Sequence, residues 1–237
     1  MIYLTLANQL TRLASELRIM PAETGIYGDP TFRTAWLNMG QKAFCRDTKA
    51  LRGNKYTGFT TIANVQEYDL WTIQNSDGSV AFRAIDDDSG GVLLNGMSIR
   101  YKTISQLISE NGRNFFTLSA GNPNNYYIRG KRYLGLAPMA PSSDYAGLPI
   151  VVYYYKRPMD MVNNADTPFD GNPFLEEYTL APVFWAAKML YWNAKQYADA
   201  ARYEKEYEIL KSKCIQDLAT DEPERMYLKP AINNTQR

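Results

Sequence analysis

The sequence contains no histidine. That absence excludes Ser-His-Asp and Cys-His nucleophilic arrangements, histidine metal sites and histidine pH switches. Cysteine is nearly as scarce. Cys45 and Cys214 are too few for a disulfide-stapled scaffold and too isolated for zinc, so both read as reduced packing residues of a cytosolic product. An excess of either charge is missing too: 26 Lys and Arg stand against 25 Asp and Glu, a formal charge of +1. No whole-molecule field therefore favours wrapping nucleic acid or clamping an anionic membrane. The longest apolar run, Leu180 to Ala187 counting Pro182, stops at Lys188 and falls far short of the ~20 residues that a bilayer span requires. The opening Met1-Ile2-Tyr3-Leu4 has no basic residue before Arg12 and does not read as a secretory signal. A soluble protein with no membrane partner is expected. Glycine-rich phosphate loops are lacking as well, because Gly90-Gly91 has no Lys-Ser/Thr pair and no following helix.

What is present is length, patterning and tyrosine. A chain of 237 residues buries roughly 70–75% of its unfolded surface. Leu6, Leu10, Leu13 and Leu17 line one stripe of a first helix ending near Arg18. Asp29-Pro30 supplies an N-cap and a first-turn proline for a second helix, whose stripe is Phe32, Trp36, Met39 and Ala43. From about residue 54 to 158 the period changes to alternating Thr, Val, Ile, Tyr and Phe broken by turn residues. Strands are expected near 56–62, 67–70, 80–86, 92–100, 114–119, 126–129, 133–137 and 149–155, with a short helix at 104–110. Residues 159–172 read as a crossing loop. Asn172-Pro173 then opens a helix with Leu175, Val183, Ala187, Leu190 and Tyr191 on its apolar face and a kink at Pro182. A last long helix carries Ala200, Tyr203, Tyr207, Leu210 and Cys214 and packs antiparallel to its predecessor. From Thr220 no period remains, yet Met226, Tyr227 and Leu228 form an apolar cluster in a polar tail. The fold class is thus α+β. It comprises a helical bundle from residues 1–53 and 159–219, an inserted antiparallel β-sandwich or barrel-like unit at 54–158, and an extended C-terminal arm at 220–237.

Each chemical motif has a plain alternative. Asp86-Asp87-Asp88 before Ser89-Gly90-Gly91 offers carboxylates to a hard cation, but the Glu that an EF-hand needs at position twelve falls on Met97, so the segment reads as a solvated turn. Glu176 and Glu177 are adjacent acids of a helix first turn, which the dipole favours, and not an acid-base pair. Arg129, Lys131 and Arg132 alternate with Tyr126, Tyr127 and Tyr133 as in a surface that holds phosphates and stacks bases. The competing description is a hairpin about Gly130 with charged turn residues. The 18 tyrosines lean towards wet protein contacts. No residue is assigned a catalytic, cofactor-binding or metal role.

Two stretches carry a resemblance. One runs from Gly121-Asn122-Pro123-Asn124-Asn125-Tyr126-Tyr127-Ile128-Arg129-Gly130 through Leu134 to Pro138 and on to Ile150-Val151-Val152-Tyr153-Tyr154-Tyr155-Lys156-Arg157-Pro158. The other is Asp166-Thr167-Pro168 and Asn172-Pro173 with Tyr197, Ala201 and Tyr207 behind it. Their order resembles the head-to-tail adaptor, or connector ring, proteins of tailed bacteriophages, including the tail accessory factors of short-tailed and crAss-like phages. The resemblance implies a non-enzymatic virion subunit, assembled in the host cytoplasm, in a ring of commonly twelve identical copies at the head-tail junction. Its implied partners are the portal protein, the next tail ring or nozzle, and genomic DNA passing through the channel without sequence-specific binding. The arm, with Met226, Tyr227, Leu228, Lys229 and Pro230, would then dock on the portal, and Arg129, Lys131 and Arg132 would be candidates for contact with the channel or a neighbour. A rival from another class is a peptidoglycan-degrading or glycan-binding virion protein with Trp71, Tyr126 and Tyr127 as stacking platforms.

Overall fold

The computed structural model describes residues 4–18, 27–112, 121–138 and 146–220. In chain order the elements are α1 (Leu6–Glu16), α2 (Pro30–Thr48), β1 (Asn54–Thr60), β2 (Glu67–Asp69), β3 (Phe82–Ile85), β4 (Val92–Leu94), β5 (Met97–Ser98), β6 (Arg100–Tyr101), α3 (Ile104–Asn111), β7 (Asn125–Arg129), β8 (Tyr133–Ala137), β9 (Pro149–Lys156), α4 (Ala181–Asn193) and α5 (Tyr197–Thr220). Short 3-10 turns occupy Leu70–Thr72, Pro168–Gly171 and Pro173–Tyr178. The expected strand at 114–119 and residues 221–237, with the cluster from Met226 to Pro230, lie outside the described residues, and Thr220 is the last residue of α5. The described residues fall into two compact units, one of those up to Ala50 and from Asp160 onward, the other of those from Leu51 to Met159.

In the helical unit the capping chemistry acts where the sequence places it. Thr5 caps α1, and Asp29 accepts from the Thr31 N–H at 2.8 Å with Pro30 in the first turn. Leu6 and Leu13 are buried, with Leu10 and Leu17 packed against the same core. The α2 stripe needs correcting: Met39 is 49% exposed, and the buried face runs through Leu37, Gly40, Phe44 and Thr48. Two polar residues complete that face. Asn38 bonds both the N–H and the carbonyl of Met161 (2.8 and 3.0 Å), and Gln41 accepts from the Phe169 N–H at 3.0 Å, pinning the crossing loop to α2. Pro182 starts α4 instead of kinking a longer helix, because in the first turn its missing N–H has no intrahelical acceptor to lose. Helix α4 touches α1, α2 and α5. It runs antiparallel to α5, as the Lys188–Glu204 ion pair (2.7 Å) and the Tyr191–Tyr203 stack (5.5 Å) show.

The β unit is two sheets. One has the path β1-β9-β4-β5 with β3 also on β9; the other is β2-β8-β7-β6. Their inner faces share one core, with Val92, Leu94, Ile150 and Val152 from the first and Tyr68, Tyr126, Leu134 and Leu136 from the second. Among the described residues the sheets form no closed barrel, and one pair breaks the antiparallel expectation: β6 runs parallel to β7. The cause is a sheet switch. The run expected as one strand at 92–100 turns at Asn95-Gly96, returns as β5, and crosses at buried Ile99 into the other sheet as β6. Helix α3, expected at 104–110, opens with a Thr103–Gln106 capping box and stops at Gly112 (φ 80°). Leu107 of α3 packs with Tyr127 and Ala137.

Candidate interaction surfaces

The β7–β8 hairpin gathers the three cations singled out by sequence. Gly130 (φ 61°) and Lys131 (φ 56°) form its turn, closed by an Arg132 N–H to Arg129 carbonyl bond of 3.2 Å. Two rows of side chains cross the sheet behind it. In the first, Gly135 pairs with Glu67 on one side and Tyr127 on the other. Lacking a side chain, Gly135 lets the Tyr127 ring lie across β8, where its hydroxyl donates to Glu67 Oε1 at 3.1 Å. Arg129 grips the same carboxylate bidentately, with its Nε at 2.8 Å. In the second row Asp69 pairs with Tyr133, which faces Arg129. Asp69 holds Arg132 through Nε at 3.0 Å and accepts from the Trp71 N–H at 3.0 Å. The Arg132 guanidinium lies over Trp71 (4.7 Å) and Tyr133 (5.0 Å), and Arg129 lies over Tyr133 (4.7 Å). The bonds from Arg129 and from Arg132 hold the Glu67 and Asp69 carboxyls below the usual carboxylate range.

Burial sorts the proposed glycan platforms. Tyr126 and Tyr127 are 1% and 0% exposed and present no ring face to a sugar, whereas Trp71 is 42% exposed. Only Trp71 can stack on an outside group.

One member of the acidic triplet departs from its expected role. Asp86 is wholly buried and accepts from the Gly53 N–H (2.7 Å) and the Ser89 N–H (3.2 Å). Asp87 accepts from the Tyr126 hydroxyl at 2.7 Å and Asp88 from Tyr155 at 3.3 Å. Asp87 and Asp88 are exposed in a turn over 87–90, as the sequence suggests, and only Asp86 is an internal anchor. Composition could not reveal the burial of Asp86, since its Gly53 partner lies more than thirty positions away. Among the described residues no group of three or more metal-ligating side chains is arranged to hold an ion. Glu177 pairs with Lys213 at 2.7 Å. Cys45 and Cys214 are buried free thiols, and burial pushes Cys214 up to about 12.

The same tyrosine-to-carboxylate contact recurs in the helical unit. Tyr178 donates to Asp217, Tyr203 to Glu16 (2.8 Å) and Tyr207 to Asp47 (3.3 Å). In all six pairs burial first, and nearby carboxylates second, raise the phenol above its ordinary value. Much of the tyrosine content therefore anchors the interior. A phenol whose folded pKa lies above the unfolded value of about 10 stabilises fully below that pH and loses this contribution as pH rises through the folded values. Denaturant midpoints should consequently hold up to about pH 10 and fall as pH rises beyond it, and a subset of the 18 tyrosines should ionise, by absorbance near 295 nm, only together with unfolding. Smooth ionisation of all of them in an intact fold would refute the assignment.

Two apolar features remain on the helical unit. A groove of about 630 Å³ is lined by Leu6, Leu10, Ala35, Met39, Met161 and Val162, with the Lys42–Asp160 ion pair (2.6 Å) at its edge. At the α4–α5 corner, exposed Trp192 and Tyr197 meet edge to face at 5.1 Å. Among the described residues no helix is long and apolar enough to cross a membrane.

These surfaces offer stacked rings, fixed guanidinium edges and apolar patches, the chemistry of protein contact. No curated protein matches the chain. The model of one family, described as SU10 adaptor protein, matches residues 1–231, which takes in both units and most of the tail beyond α5. The chain belongs to the SU10 adaptor protein family, a family of bacteriophage structural adaptors.

Proposed function

We propose that the chain is a non-enzymatic ring subunit at the head-tail junction of a tailed-phage virion, of the short-tailed or crAss-like type. It docks on the portal and extends the DNA channel towards the next tail ring or nozzle. The observation that carries this reading is the family match over residues 1–231. Charge supports it: the net charge is +1, and the two arginines of the β7–β8 hairpin are each neutralised by a carboxylate. A channel that must let DNA slide needs weak contacts, whereas many uncompensated cations would grip phosphates with steep salt dependence. The ring holds identical copies, commonly twelve, and is assembled in the host cytoplasm. Exposed Met39, Val162, Trp192 and Tyr197 supply apolar area for heterologous, ring-closing contacts.

Residues 226–230 are the portal-docking cluster in this reading. Deleting 221–237 leaves every residue of α5 in place. The truncated chain should keep its melting temperature and fail to co-sediment with portal particles. Undiminished attachment would contradict the assignment.

A further inference from the structure

The hairpin stack of the β unit has binding capacity that its internal bonds leave over. Trp71, Arg132, Tyr133 and Arg129 alternate ring and guanidinium. Each guanidinium gives Nε and Nη2 to its own carboxylate, so the Nη1 edges are held in fixed orientation with donors to offer. Exposed Lys131 stands at the turn between them, and the Trp71 ring is open to solvent. Trp, Tyr and Arg are the residue types that dominate contact energies, and here their rotamers are fixed before any partner arrives.

We infer that this stack is the docking site for the segment Asp221-Glu222-Pro223-Glu224 of a second copy of the chain. Two runs in the sequence place three acids within four residues, 86–88 and 221–224. The first is committed to Gly53, Ser89, Tyr126 and Tyr155 inside its own unit. The second follows directly on the end of α5, so a neighbouring copy delivers it from a rigid helix. Its carboxylates complement the Nη1 edges of Arg129 and Arg132 and the Lys131 ammonium, while Pro223 packs its ring on the open face of Trp71. A nucleic acid is the poorer occupant. With Glu67 and Asp69 subtracting from Arg129 and Arg132, the tip has one uncompensated cation, too little to neutralise a run of phosphates.

The inference rests on the reading of the chain as a subunit beside identical neighbours, so the test supplies the segment in trans and needs no assembly. A labelled peptide of residues 219–232 is titrated onto the full-length chain and followed by anisotropy at low salt. Binding should weaken about tenfold with Trp71→Ala and with Arg132→Ala, a loss of the size that a contact anchor carries. Lys131→Glu, at an exposed turn position that leaves folding intact, should also weaken it and should gain affinity for a peptide whose three acids are replaced by lysine. Absent peptide binding, or binding indifferent to Trp71→Ala and Lys131→Glu, would overturn the inference. So would an oligothymidylate that binds more tightly than the peptide with a steep salt slope. Peptide binding in a chain that never forms rings would count against the assembly reading and leave this site standing.

Discussion

Gly135→Val is expected to lower the stability of the β unit by about 3 kcal/mol or more, the range in which overpacking and a broken buried network combine. A Cβ at this position would lie 2.0 Å from Cζ and 2.3 Å from Cε1 of Tyr127. The ring cannot yield easily. Leu107 of α3 and Ala137 pack on it, and its hydroxyl is held by Glu67. Displacing it removes one of the bonds that position the Glu67 carboxylate, which in turn positions Arg129. The measurement is a urea titration of the variant, with Gly135→Val/Tyr127→Ala as control. The double variant should recover part of the loss, because removing the ring removes the collision. A single variant as stable as the parent would show that the ring does not lie across the glycine.

Gly40→Val should be comparably severe in the helical unit, by about 3 kcal/mol. Glycine inside a helix costs about 1 kcal/mol against alanine, so its presence in the middle of α2 requires a reason. Here the reason is close approach to α4: a Cβ would meet the Pro182 carbonyl oxygen at 2.7 Å and its Cα at 2.9 Å. Both are backbone atoms and cannot swing aside. Gly40→Ala therefore separates two effects, since helix propensity alone predicts a gain and the collision predicts a loss. Calorimetry giving a higher melting temperature for Gly40→Ala would disprove the close crossing.

Local rules made much of the fold legible in the sequence. Asp29-Pro30 starts α2 as expected because capping depends on two or three adjacent residues, and Asn172-Pro173 caps a turn by the same rule, though a 3-10 turn and not the long helix expected there. The strand expected at 133–137 is β8, Tyr133–Ala137. What failed depended on distant partners. The α2 stripe was misplaced at Met39 because its real face includes Asn38 and Gln41, polar residues made buriable by backbone groups of Met161 and Phe169. The burial of Asp86, of Tyr126 and of Tyr127, and the parallel β6–β7 pair likewise need the two sheets to be assembled first. In the candidate site, spacing brought Arg129, Lys131 and Arg132 to one hairpin. It could not reveal Glu67 and Asp69, which arrive from β2 more than sixty positions earlier and turn a cationic patch into a neutralised stack.

The most direct test of the account is electron microscopy of the purified full-length chain mixed with its portal. A closed annulus of identical copies seated on the portal, coaxial with its channel, is the result expected. Copies that stay single and unattached while the portal remains bare would contradict it.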